Sequence, residues 1–136
     1  NYYQKMKELA RELDLSSAVR FLPRIPNYQA PTLYNNYDLF VNLTVSGSFD
    51  KTTLEAMACE LPVLVSNKAF REIFSSDLAG RLMFEESNDQ DLTGKIINFI
   101  KISNEEKTAI GREMRNIVVA KHELKSLIAK LADVIK

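Results

Sequence analysis

Cysteine and histidine are nearly missing from this sequence. Its 136 residues hold one cysteine, Cys59, and one histidine, His122. A single thiol excludes an internal disulfide and a cysteine-rich metal site, and a single imidazole excludes a multi-histidine one. An excess of charge of either sign is also lacking. Lys plus Arg count 18 against 18 Asp plus Glu, so no global field draws the chain to nucleic acid or to an anionic membrane. No run of about 18 apolar residues occurs, which leaves nothing to span a bilayer. No secretory leader is expected at its start. A Gly-x-Gly-x-x-Gly following a strand is absent too, which speaks against a dinucleotide-dependent oxidoreductase.

What remains is 46% hydrophobic and 26% charged, the composition of a soluble globular domain with a real core. Tyr2, Met6, Leu9 and Leu13 recur at helical spacing and predict an amphipathic helix ending near Asp14. Val19–Leu22 reads as a short strand stopped by Pro23 and Pro26. Pro31 suits the first turn of a helix through Tyr34. The apolar run Asp38–Leu43 reads as a strand covered on both faces. A Ser/Gly/Thr-rich loop over Thr44–Thr53 leads to a helix over Leu54–Cys59, and Leu61–Val65 reads as another buried strand. Ala69–Phe74 predicts a short helix, and Gly80 turns the chain into a strand over Arg81–Phe84. Ser87 with Gln90 and Ser103 with Glu106 form capping-box spellings, opening one helix to Ile102 and a second to Lys136.

Strands alternating with helices predict an α/β fold: a Rossmann-like parallel sheet of about four strands with flanking helices. A complete doubly wound domain has about six. With Asn1 rather than Met at the start, this reads as an excerpt whose sheet begins upstream. Ligands of such sheets bind beyond the carboxyl ends of the strands, which here are 23–28 and 44–53. The second segment feeds a helix start, whose free N–H groups favour phosphate. Glu55, expected in the first turn of that helix, either complements the helix dipole or accepts hydrogen bonds from a sugar diol. Lys51 either meets a phosphate or is an ordinary surface lysine.

The run SGSFDKTTLEAMACELPVLVS, Ser46 to Ser66, resembles the signature of the group 1 glycosyltransferases, retaining enzymes of the GT-B fold that use nucleotide sugars. LARELDLSSAVRFLPRIPN, PTLYNNYDLFVNL, Glu72 and Gly80 extend the resemblance along nearly the whole chain. It implies one partial GT-B lobe over residues 1–136, the carboxy-terminal nucleotide-sugar-binding domain without its first βα units. The acceptor lobe would then lie outside the chain. Glu55 matches the glutamate that holds the donor ribose. Lys51, Thr52 and Thr53 match the segment whose amides approach diphosphate and ribose. Gly47, Ser48, Phe49 and Asp50 match the loop that touches the donor sugar, and Arg24, Ile25 and Asn27 match the loop lining the base. Gly47 stands where the signature has its first glutamate, Asp50 where it has its second glycine, and Glu60 where it has a glycine before Leu61-Pro62.

The implied function is hexosyl transfer with retention, from a nucleotide-diphosphate sugar to a glycan or lipid-linked acceptor in cell-surface polysaccharide synthesis. No catalytic residue is expected within this piece, which alone would bind donor weakly and turn over nothing. No cofactor or metal is expected, because basic side chains and helix amides would meet the diphosphate charge. The expected location is the cytoplasm, with peripheral association of the parent at the inner membrane face as the alternative. The competing reading is a non-catalytic Rossmann-like binding module, for which Gly47 is the best support.

Overall fold

The computed structural model describes residues 1–47 and 50–122. The chain divides into two compact units, Asn1–Ala30 and the remainder from Pro31. In the first unit, helix α1 (Tyr2–Glu12) forms as its periodicity predicts, with the Asn1 side chain accepting the Gln4 N–H at its start. At its end the Leu15 N–H reaches the Ala10 carbonyl at 2.7 Å and the Asp14 N–H reaches Arg11 at 3.0 Å. These are the paired bonds of a Schellman stop, and Asp14 adopts the left-handed φ of 54° that the stop needs. The Tyr3 and Phe21 rings meet edge to face at 5.7 Å. The strand expected at Val19–Leu22 is not formed. A strand exists only through its ladder, and among its described residues this unit holds no second strand to pair with.

From the unit boundary onward the order is α2 (Ala30–Tyr34), whose first residue closes the first unit, β1 (Phe40–Asn42), α3 (Lys51–Ala58), β2 (Val63–Val65), α4 (Ser76–Leu82), α5 (Asp89–Lys101) and α6 (Asn104–His122). β1 and β2 pair in parallel, Phe40 with Val63 and Asn42 with Val65. A single parallel bridge adds Met83 beside Val65. The α/β architecture therefore holds, but the expected four strands reduce to two and a bridge among the described residues. The missing strand at Arg81–Phe84 has a local cause. Ser75 caps α4 by accepting the Leu78 N–H, and the helix runs through Gly80 instead of turning there. β2 is buried throughout, whereas Val41 is 38% and Leu43 is 65% exposed, so the expected cover on both faces fails for β1. The short helix expected at Ala69–Phe74 forms as a 3-10 helix over residues 68–72.

α3 starts three residues earlier than its apolar spacing suggests, because Asp50 caps it through the Thr53 N–H. The α5 cap is Asn88, not Ser87, and it accepts the Asp91 N–H at 2.9 Å. An Asp-x-Asp spelling, Asp89 and Asp91, falls in this first turn, where the Asp91 carboxylate takes the Glu85 N–H. Ser103 caps α6 through Glu106 as predicted. The part of the last helix expected beyond His122 lies outside the described residues.

The far end of α3 is a second Schellman stop. Leu61 N–H bonds Ala56 at 3.1 Å and Glu60 N–H bonds Met57 at 3.0 Å, with Glu60 at φ 61°. A side chain in this conformation costs about 1 kcal/mol that glycine avoids. The Glu60–Arg115 ion pair, 3.8 Å long and half exposed, offsets little of it. Glu60→Gly is therefore expected to raise stability by about 1 kcal/mol. A lowered urea midpoint for this variant would contradict the strain argument.

α6 lies across this turn. Gly111 faces the Glu60 carbonyl so closely that a Cβ there would stand 2.0 Å from its oxygen. Around the contact, Ala56, Met57, Ile110 and Met114 are buried, and α3 and α6 pack together.

Candidate functional site

Because β1 and β2 are parallel, their carboxyl ends at Asn42 and Val65 share one edge. Three segments leave it: 43–50 after β1, 66–67 after β2, and 84–88 after the Met83 bridge.

Asn42 closes β1 and ties it to α3. Its Oδ1 accepts the Thr44 N–H at 2.6 Å, and its Nδ2 donates to Thr53 Oγ1 at 2.8 Å and to Asp50 Oδ2. The same Asp50 oxygen accepts the Thr53 N–H at 3.2 Å, the Thr53 hydroxyl at 3.1 Å and the Thr52 hydroxyl at 2.5 Å. Burial pushes the Asp50 carboxyl up, but bonds from the Thr52 and Thr53 side chains, then from their backbones, outweigh it and hold it below its ordinary range. The carboxylate thus occupies the Thr53 N–H, one of the amides at the start of α3 that the sequence offers to phosphate.

Glu55 is the fifth residue of α3 and sits in its second turn, not its first. Its Oε2 accepts the Tyr34 hydroxyl at 3.4 Å and its Oε1 lies 3.5 Å from the Lys51 ammonium. Tyr34 is buried and packs edge-on to Phe40 at 5.8 Å. Burial first, then the Glu55 charge and hydrogen bond, raise the phenol above its ordinary value, so it remains a donor. The Glu55 side chain is 26% exposed and that of Lys51 is 77% exposed. An exposed pair of this kind contributes about 0–1 kcal/mol and releases easily.

A second cluster forms at Ser46. Its N–H donates to Glu86 Oε1 at 2.7 Å and its hydroxyl donates to the same oxygen. The hydroxyl in turn accepts the Lys68 N–H at 2.9 Å. Bonds from the Ser46 side chain and backbone, with the Lys68 charge adding to them, hold the Glu86 carboxyl below its ordinary range. Beside it opens a cleft of ≈ 530 Å³ lined by Ser66, Lys68, Arg71, Glu86 and Lys95 among others.

Of the residues singled out by sequence, Lys51, Thr52, Thr53, Glu55 and Asp50 come together at the start of α3. Gly47 is exposed, and a Cβ there would meet nothing within 4 Å. Packing therefore does not demand a glycine. Ser48 and Phe49 lie outside the described residues. Arg24, Ile25 and Asn27 belong to the first unit. Arg24 and Asn27 are exposed and Ile25 is half-buried, with Asn27 opening a 3-10 helix. Among the described residues no group of three His, Cys, Asp or Glu side chains is placed to hold a metal ion, and no helix is long and apolar enough to cross a membrane.

Sequence reasoning missed Tyr34, Asn42, Ser46 and Glu86. Asn42 left one signal, a lone amide at the end of an otherwise apolar strand. Asp50 left another, a capping residue just ahead of a helical run. Glu86 left none, because its partner is 40 residues away.

The family model for glycosyl transferases group 1 matches residues 1–117. Among solved structures, the chain resembles the C-terminal domain of a glycosyl transferase group 1 family protein (LpcC) from Francisella tularensis, with a TM-score of 0.75 at 20% identity. The likeness covers 90% of this chain and 63% of that one, and at this identity it speaks to fold alone. No curated protein matches.

Proposed function

The chain belongs to the group 1 glycosyl transferases, and from that premise we propose that its second unit holds the nucleotide-sugar donor of a retaining hexosyltransferase. On this reading the chain plays the part of a carboxy-terminal donor domain, and the acceptor lobe lies outside it. The acceptor is a glycan or lipid-linked sugar in cell-surface polysaccharide synthesis, met in the cytoplasm or at the inner membrane face. Nucleic acid is no partner, and the transfer uses no metal or other cofactor.

One observation carries the reading: Glu55 is a half-exposed acceptor carboxylate on the helix that leaves the carboxyl edge after β1. Tyr34 steadies one of its oxygens. Among the described residues the other pairs with Lys51 in a weak surface contact. A ribose diol would replace that pair with charge-assisted hydrogen bonds of about 1.5–3 kcal/mol each. Lys51, once released, would turn its charge to the diphosphate. That matters because Asp50 already engages the Thr53 N–H, leaving less amide for phosphate than the family pattern implies.

The same Asp50 carboxylate and the bare Gly47 favour a second reading, a binding module that kept the fold and lost transfer chemistry. The two readings part in a titration of uridine, guanosine and adenosine diphosphates and their sugars, followed by amide shifts. Donor binding predicts shifts centred on 51–55 and a loss of affinity of roughly tenfold or more in Glu55→Gln. Equal affinity of the variant and the parent would remove Glu55 from the site. A spectrum unmoved by any of these ligands would leave the module reading.

A further inference from the structure

We infer that Glu86 is a positioning residue that fixes the start of the loop after β1, residues 44–47, for donor binding, acting through Ser46; the inference rests on the donor-binding reading above. Glu86 belongs to the segment beyond the Met83 bridge and is 40 residues from Ser46 in sequence. One of its oxygens nevertheless takes both the N–H and the hydroxyl of Ser46. A hydroxyl has one proton to give and lone pairs to receive with. Here the proton goes to Glu86 and a lone pair takes the Lys68 N–H at 2.9 Å. The rotor is therefore fixed, and the segments after β1, after β2 and after the bridge meet at one oxygen atom.

Among the described residues of the loop, the other hydrogen bonds lie at its ends. At one end Thr44 is bound to Asn42 at 2.6 Å, with a longer bond from Ser66 Oγ to the Thr44 carbonyl at 3.5 Å. At the other end Asp50 is fixed as the cap of α3. Next to Ser46 stands Gly47, where no packing atom lies within 4 Å of a side-chain position. Among the described residues, the bonds of Ser46 are the restraint beside it. Bonds to an ionised acceptor are roughly twice as strong as neutral ones, and the low-lying Glu86 carboxyl stays ionised at neutral pH. The neighbouring cleft shares Glu86 and Lys68, so the tether also shapes its wall.

The test uses the full chain with Glu86→Gln, Glu86→Ala, Ser46→Ala and the double variant, and uridine, guanosine and adenosine diphosphates as probes. The Ser46 amide shift in the parent should follow a carboxylate titrating below the ordinary glutamate range, and Glu86→Gln should abolish that titration. Affinity should fall about tenfold in Glu86→Ala, with little change in the unfolding midpoint. Glu86→Gln, which can still accept one bond, should recover part of the loss. Ser46→Ala should weaken binding similarly and add nothing to Glu86→Ala. Parental affinity in Glu86→Ala would overturn this inference and leave the donor reading standing. If none of the three diphosphates shifts the parent spectrum, both fall together.

Discussion

Gly111→Ala is expected to destabilise the second unit by about 3 kcal/mol, at or beyond the upper range for overpacking. The added Cβ would meet the Glu60 carbonyl oxygen at 2.0 Å and its carbon at 2.9 Å. Neither atom is the tip of a flexible side chain. Both belong to a backbone turn held by the Leu61–Ala56 and Glu60–Met57 bonds. Relief requires α6 to withdraw from α3, which opens the contact between the two helices. Urea unfolding measures the loss. Gly94 in α5, where a Cβ would meet nothing within 4 Å, provides the control for a general effect of removing helix glycines. An unchanged midpoint for Gly111→Ala would mean that α3 and α6 do not touch here.

Phe70→Ala is expected to cost about 3–5 kcal/mol, the range for emptying a fully buried aromatic site. Phe70 has no exposed surface, and its ring stands 5.7 Å from that of Phe74 at a tilt of 46°. It anchors the 3-10 helix that follows β2, two residues past the Lys68 N–H bound to Ser46. Phe70→Leu should lose much less, because most of the volume is kept. If Phe70→Ala lost under about 1 kcal/mol in thermal or urea unfolding, the ring could not be filling the core as described.

The parts of this molecule legible from sequence are those fixed by near neighbours. α1, α2 and the Ser103 cap of α6 follow from local spacing and capping chemistry, and each is formed. β1 and β2 also lie inside their expected runs. The errors cluster where a distant partner decides. Val19–Leu22 has the composition of a strand but no ladder. Arg81–Phe84 has it too, yet the Ser75 cap carries α4 through Leu82 and leaves Met83 as a single bridge. At the candidate site, the residues around Glu55 were legible because they form one contiguous run. The Tyr34–Glu55 and Ser46–Glu86 contacts were not, since they join segments 21 and 40 residues apart. The start of α3 lies between these cases: Asp50 was singled out as a loop residue, but only its convergence with Asn42, Thr52 and Thr53 shows that it caps the helix and how much donor capacity it consumes.

The uncovered face of β1 has a practical consequence for solubility. Val41, Leu43 and Val45 alternate along the chain and are 38%, 65% and 72% exposed. Among the described residues β1 has β2 along one side and no ladder along the other. An apolar strand with a free hydrogen-bonding edge is a template for self-association. The isolated chain is therefore best handled dilute, since crowding copies together would favour edge-to-edge pairing over the monomer.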